Sequence, residues 1–153
     1  MMLRPAIISD ADSIVSLIET FAEKNLMLPI THDFLFEHIS NYQIAEKDGK
    51  IIGCVFLRVY NGTLAEVRSL AVDPQYQGQG IGKALVEQLK KVAREIGLKK
   101  LFALTVTPLF FKHLGFVETD KESFPEKIWL DCDKCQKRDK CDEIAFVYEI
   151  GSS

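Results

Sequence analysis

The sequence predicts an α+β fold with a mostly antiparallel sheet flanked by helices. Three observations carry this. Asp48-Gly49 and Asn61-Gly62 divide the stretch from Tyr42 to Val72 into three β-rich runs. A run of helical period follows, with Ile81, Leu85, Leu89, Val92 and Ile96 on one face. Short apolar runs alternating with turn signals then continue to the end of the chain, and no repeat or low-complexity tract interrupts them.

Size and composition narrow the class. The 153 residues suit one domain, 1–153, with its own core. A content of 47% hydrophobic and 27% charged residues is that of a globular protein. A net charge of −3 provides no basic stripe for nucleic acid. No apolar run reaches the length of a membrane span. The opening "MMLRPAIISDADS" meets acidic residues too early for a secretory signal. The expectation is a cytoplasmic protein with no nucleic-acid or membrane partner. Three of its four cysteines cluster at 132, 135 and 141, which is not the pattern of a secreted disulfide scaffold.

Each element follows in order. "LRPAII" reads as a strand. Ile14, Leu17, Ile18 and Phe21 have helical spacing, with Ser9 or Asp10 as cap. Thr31 can cap a second short helix carrying Phe34, Leu35 and Ile39. The two Gly-containing turns predict type I′ hairpins, because both central residues of such a turn need positive φ. The meander ends near Val72, before Pro74. The helix from Gly80 is closed by Gly97 as its C′ residue. "KKLFALTV" is a strand, and "PLFFKHLGF" is a short helix closed by Gly115. "GFVET" and "EIAFVYEI" are the last strands. Between them lies a polar, cysteine-bearing insert at about 120–142.

The stretch "DPQYQGQGIGKAL" carries the chemistry. A dinucleotide fingerprint starting at Gly80 needs Gly or Ala where Leu85 stands. One starting at Gly78 fails at Lys83. The Walker pattern fails at Gln77 and again at Ala84. What remains is a glycine-rich loop opening a long helix, whose free N–H groups and dipole favour an anion. The alternative is that the glycines serve only a tight turn and close helix packing.

At "VRSLAVDPQYQGQGIGKALVEQL" the chain resembles the Gcn5-related N-acetyltransferases. Their Q/R-x-x-G-x-G/A signature is met by Gln77, Gly80 and Gly82 between a strand and a helix. The order of elements agrees over nearly the whole chain. The resemblance implies a sheet splayed after its fourth strand and an acetyl-CoA site in the opening. The pyrophosphate would lie on the amides of Gln77, Gly78, Gln79, Gly80, Ile81, Gly82 and Lys83. The pantetheine arm would pair with Leu70, Ala71 and Val72 like an added strand, and a backbone N–H near Leu70 or Ala71 would hold the carbonyl oxygen.

"AEKDGKIIGC", "LAEVRSLAVDP", "FALT", "FFKHLGF", "EKIWLDC" and the cysteine-bearing ending also resemble the short, single-domain N-acetylglutamate synthases of bacterial arginine biosynthesis. That group carries a basic residue after the Leu28-Pro29 pair, where Ile30-Thr31 stand here. The resemblance implies acetyl transfer to the α-amine of an amino acid, with L-glutamate first. Glutamine, a polyamine, a protein N-terminus or a small basic compound are alternatives. A non-catalytic acyl-CoA-binding module is a further one, and a homodimer stays open.

Acetyl transfer needs a neutral amine, a polarised carbonyl and a leaving thiolate. Glu66 matches a position where family members carry a catalytic glutamate, and it can act as general base, directly or through water. A solvated Glu66 paired with Arg68 is the alternative, since a period of two puts both on one face unless a bulge intervenes. Arg68 is a candidate for a substrate carboxylate. Lys127 in "EKIW" is a second, against a plain surface lysine. The family's general-acid tyrosine aligns with Phe111, which has no proton to donate. Water then serves, or the thiolate leaves unassisted, its thiol having a pKa near ~8.5. His113 reads as a surface residue and Cys54 as core. Cys132, Cys135 and Cys141 have C-x₂-C-x₅-C spacing, open either to structural zinc with a fourth ligand or to three reduced thiols.

Overall fold

The computed structural model describes residues 1–120 and 143–151. Strand β1 spans Met2–Pro5, shorter than expected, because the chain turns at Ala6 into a 3₁₀ turn at Ile8–Asp10. Helix α1 (Ala11–Ala22) buries Ile14, Leu17 and Ile18, as their spacing requires. Helix α2 (His32–Glu37) is capped by Thr31, whose hydroxyl accepts the N–H of Phe34 at 3.0 Å. Ile39 falls in a separate 3₁₀ turn, Ile39–Asn41.

The meander follows as β2 (Tyr42–Lys47), β3 (Lys50–Val59) and β4 (Leu64–Val72). Asp48 and Gly49 both have positive φ, 52° and 79°, as the expected type I′ turn needs. Asn61-Gly62 does not form that turn. The Asn61 Oδ1 accepts from the Thr63 N–H, the Thr63 hydroxyl and the Leu64 N–H, which winds the chain into a wider loop. Helix α3 is Ile81–Glu95, β5 is Lys100–Thr105, α4 is Pro108–His113, β6 is Val117–Thr119 and β7 is Ile144–Glu149. Gly97 ends α3 at φ 92°. Its N–H and that of Leu98 reach back to Arg94 and Ala93, a Schellman motif. Ile96 therefore leaves the helical face and stands exposed, and Ala93 completes the buried stripe instead.

The seven strands lie in the order β1-β2-β3-β4-β5-β7-β6, all antiparallel except β4 with β5. Alternation along the strands makes two core layers. Val55, Leu57, Val67, Leu101 and Phe146 face α3 and α4, while Tyr42, Ile44, Cys54, Phe56 and Ala71 face α1 and α2. Lys90, buried on α3, donates to the Leu114 carbonyl beyond the end of α4 and sits 4.2 Å over the Tyr148 ring, which ties α4 in place.

Asp10 does not cap α1 with its side chain. Its buried carboxylate accepts the Ile7 N–H at 2.8 Å and two nitrogens of Arg4 at 2.8 and 3.0 Å, while Arg4 Nε reaches Glu46 at 3.1 Å. This fork joins β1, β2 and the start of α1. The hydrogen bonds from Arg4 hold the Asp10 carboxyl below its ordinary range, against burial, which raises it. A lowered native pKa adds stability that is present above the unfolded value of about 3.9 and lost as pH falls through the native one. Arg4→Met is expected to cost about 1–3 kcal/mol at neutral pH and to move acid unfolding to higher pH. An acid-unfolding midpoint unchanged in Arg4→Met would show that the fork has no part in the acid response.

Candidate active site

The candidate site lies where β4 and β5 separate. Their parallel ladder comprises Leu64 with Lys100, Ala65 with Leu101 and Glu66 with Phe102, and it ends there. Beyond Glu66, β4 stays with β3 as far as Val72, and β5 stays with β7 as far as Thr105. Among the described residues no strand pairs with the β4 edge from Val67 to Val72. That edge offers backbone donors and acceptors to an extended ligand, and it contains Leu70, Ala71 and Val72.

A bulge shapes this edge. Phe56 pairs with Arg68 and Cys54 with Ala71, so Ser69 and Leu70 together oppose Val55. Ser69 takes φ 53°, unusual for a residue with a Cβ. The Cys54 thiol lies 3.5 Å from the Ser69 carbonyl. Cys54 is wholly buried, and burial pushes its pKa up to about 12, so it is an inert core thiol.

The loop below the edge has the geometry of an anion site. Asp73 Oδ1 accepts the Gln75 N–H at 2.9 Å, and the Gln77 side-chain amide donates to the Val72 carbonyl at 3.2 Å. Gly78 and Gly80 have φ of 82° and 80°, and a Cβ at either would meet nothing within 4 Å. Their role is therefore backbone conformation and not close packing. Ala84 makes the first α3 bond, to the Gly80 carbonyl. The N–H groups of Ile81, Gly82 and Lys83 are left without a carbonyl partner inside the helix, where the dipole is positive. Gly53, not the loop, is the close-packing glycine: a Cβ there would lie 2.9 Å from Leu85 Cδ1.

Glu66 stands at the fork, 8% exposed. Tyr60 donates its hydroxyl to Glu66 Oε1 at 2.8 Å, and Arg68 Nε lies 3.9 Å from the same oxygen. The bulge comes after Arg68, so Glu66 and Arg68 do share a face. Arg58 faces Glu66 across the β3–β4 ladder, and its guanidinium stacks 5.8 Å from the Phe34 ring and 5.6 Å from the Tyr60 ring. The sequence reading missed Tyr60 and Arg58. Their signal lay in the hairpin register, which the misjudged Asn61-Gly62 turn concealed.

The remaining candidates divide. The resemblance sets Phe111 at the thiol end of the cofactor, but its ring is buried in the core 5.2 Å from Phe116. Its neighbour Phe110 is the one that lies against the loop, within 3.5 Å of where a Cβ on Gly82 would stand. Successive side chains on α4 point about 100° apart, so only one of the pair can face the opening. His113 is exposed. Ile30 packs against the α1–α2 core layer, and Thr31 is spent on its cap. Lys127, Cys132, Cys135, Cys141 and the insert lie outside the described residues. Among the described residues no group of three metal-ligating side chains occurs, and no helix is long and apolar enough to cross a membrane.

Comparison with known proteins agrees with this geometry. Residues 10–116 match the Acetyltransferase (GNAT) family. An uncharacterized N-acetyltransferase of Chlorobaculum tepidum is 42% identical over 145 residues, covering 95% of this chain and 94% of the relative. An amino-acid acetyltransferase of Mycobacterium tuberculosis is 34% identical over 158 residues, 98% of this chain and 80% of its own length. Among solved structures, N-acetylglutamate synthase from Neisseria gonorrhoeae, complexed with coenzyme A and N-acetyl-glutamate, superposes with a TM-score of 0.88 at 30% identity. That match covers 99% of this chain and 35% of the larger one. A Mycobacterium tuberculosis protein in complex with CoA gives 0.85 at 28% identity, covering 97% and 99% of the two chains.

Proposed function

The chain belongs to the GNAT acetyltransferase family, and on that premise we propose that it acetylates the α-amine of an amino acid, L-glutamate first. It is an acetyl-CoA-dependent acyltransferase. The finer reading rests on one observation: β4 and β5 part directly beyond Glu66, so a carboxylate stands where an extended donor and an amine would meet.

Each residue has a role in this reading. The amides of Gln77 to Lys83 hold the pyrophosphate, and the β4 edge at Leu70, Ala71 and Val72 holds the pantetheine arm. The thioester supplies an activated acetyl carbon. The Leu70 or Ala71 N–H, turned by the bulge, stabilises charge on its oxygen. Glu66 takes the proton from the ammonium, directly or through one water. The amine nitrogen then bonds to the acetyl carbon, the carbon–sulfur bond breaks, and the second amine proton passes to water while water protonates the leaving thiolate, since Phe111 has no proton to give. Arg68, and Arg58 beside it, orient a carboxylate of the acceptor. The placement of the reaction in arginine biosynthesis, the cytoplasm as its location, the single domain and zinc at Cys132, Cys135 and Cys141 belong to the same reading.

A second acceptor class has support of its own. Ile30 and Thr31 are uncharged, so the basic residue expected after Leu28-Pro29 is missing and Arg58 and Arg68 are left to meet both ends of a glutamate. That leaves room for glutamine, whose far end is uncharged. Thiol release from acetyl-CoA over a panel of glutamate, glutamine, lysine and spermidine decides. Turnover is expected with glutamate above the rest. Turnover of spermidine alone would overturn the amino-acid reading.

A further inference from the structure

A cavity of about 260 Å³ opens between the end of α2 and β3, lined by His38, Asn41, Phe56, Arg58, Val59 and Tyr60. We propose that it receives the far end of the acceptor, and that His38 and Asn41 select a carboxylate or carboxamide there. The proposal rests on the amino-acid reading above and deepens it.

The position follows from register. β2 begins at Tyr42, opposite Phe56, so β3 runs on through Leu57, Arg58 and Val59 without β2 beside it. The turn Ile39–Asn41 and His38 occupy the space beside that overhang. The cavity lies close to the reacting centre. Its wall residue Tyr60 carries the hydroxyl bonded to Glu66, and Arg58 faces Glu66 across the ladder. An acceptor with its far end here spans one tyrosine side chain to place its amine at the base.

The chemistry of the lining selects the class. His38, Asn41 and Arg58 present N–H donors, the Tyr60 hydroxyl being given to Glu66, and among the described residues no Asp or Glu lines the cavity. A carboxylate or amide oxygen is satisfied by such walls. Among the described lining residues the ammonium of a lysine or polyamine meets no anion and faces the Arg58 guanidinium instead, so it would be desolvated at a cost. The volume falls below the ~300–1,000 Å³ of pockets for drug-sized ligands, which suits a group of amino-acid size. His38 is well placed to discriminate because it is held: its ring packs 4.4 Å from Phe34 and 5.5 Å from Phe56.

The test is Asn41→Asp, with His38→Gln as its companion, each assayed with glutamate, glutamine, lysine and spermidine. Asn41→Asp places a carboxylate against the far end. The expected result is a rise of about tenfold in KM for glutamate, equivalent to ~1.4 kcal/mol, with kcat changed less than twofold. Preference should move toward glutamine and lysine. The KM for acetyl-CoA and the unfolding midpoint should stay at wild-type values. His38→Gln should raise the KM for glutamate and glutamine alike. It carries the test alone if Asn41→Asp does not fold. Wild-type turnover of amino acids with the KM for glutamate unmoved in the folded variants overturns this proposal only. Wild-type turnover of no amino acid overturns the amino-acid reading and this one with it.

Discussion

Glu66→Gln is expected to lower kcat by about 10²- to 10⁴-fold, the range of a lost general base. The variant is nearly isosteric, so it isolates the proton transfer. A glutamine oxygen still accepts the Tyr60 hydroxyl that now reaches Glu66 at 2.8 Å. The lost attraction to Arg68, whose Nε is 3.9 Å away, is a loose contact that costs under about 1 kcal/mol. The KM for acetyl-CoA should hold, because the loop and the β4 edge are untouched. The acid limb of the kcat profile should vanish, since the carboxylate it reports has been replaced by an amide. A variant with near-wild kcat and the wild-type acid limb would remove Glu66 from the chemistry and leave it as the partner of Tyr60 and Arg68.

The loop and helix proposed to hold the donor were legible in the sequence because local rules govern their conformation. Glycines at positive φ, a proline stop and an amphipathic run lie within a few residues of each other, and the fold uses them as their intrinsic preferences dictate. Asp48-Gly49 was legible for the same reason. Asn61-Gly62 misled because Asn61 has two uses: its side chain can bond the backbone ahead, and three bonds to Thr63 and Leu64 outcompete a tight turn. Asp10 misled likewise. A helix-capping residue type was taken by Arg4, which only the tertiary structure brings near.

The acceptor side was less legible because it depends on register. Whether Glu66 and Arg68 share a face turned on where a bulge fell, and Ser69 has no sequence signal for positive φ. Tyr60 and Arg58 face Glu66 only once the hairpin is paired. His38 and Asn41 come to the cavity from the turn before β2, across a different ladder. Helical phase separates Phe110 from Phe111, and a motif aligned by spacing alone cannot say which of two adjacent rings faces the opening.

Leu85→Ala should show the converse of the Glu66 variant, a large loss of stability with chemistry preserved. Leu85 is wholly buried on α3 and touches the sheet where Gly53 leaves room for it. Truncation removes apolar contacts and leaves a space that the backbone of β3 cannot fill, because a strand held between two ladders does not shift inward. The cost expected is about 2–5 kcal/mol, or a fall in Tm of roughly 4–20 °C for a chain of this size. The urea m-value should stay the same, since the surface exposed on unfolding is unchanged. The loop should keep its geometry. Ile81, Val86, Leu89 and Ala93 still seat α3, and Gly78 and Gly80 take their conformation without help from packing. Coenzyme A should therefore raise the Tm of the variant by as much as it raises the wild type, because binding to the native state stabilises both by RT ln(1 + [L]/Kd). A smaller increment would mean that Leu85 holds the first turn of α3 in register with the β4 edge, and the anion site would then depend on core packing as well as on its glycines.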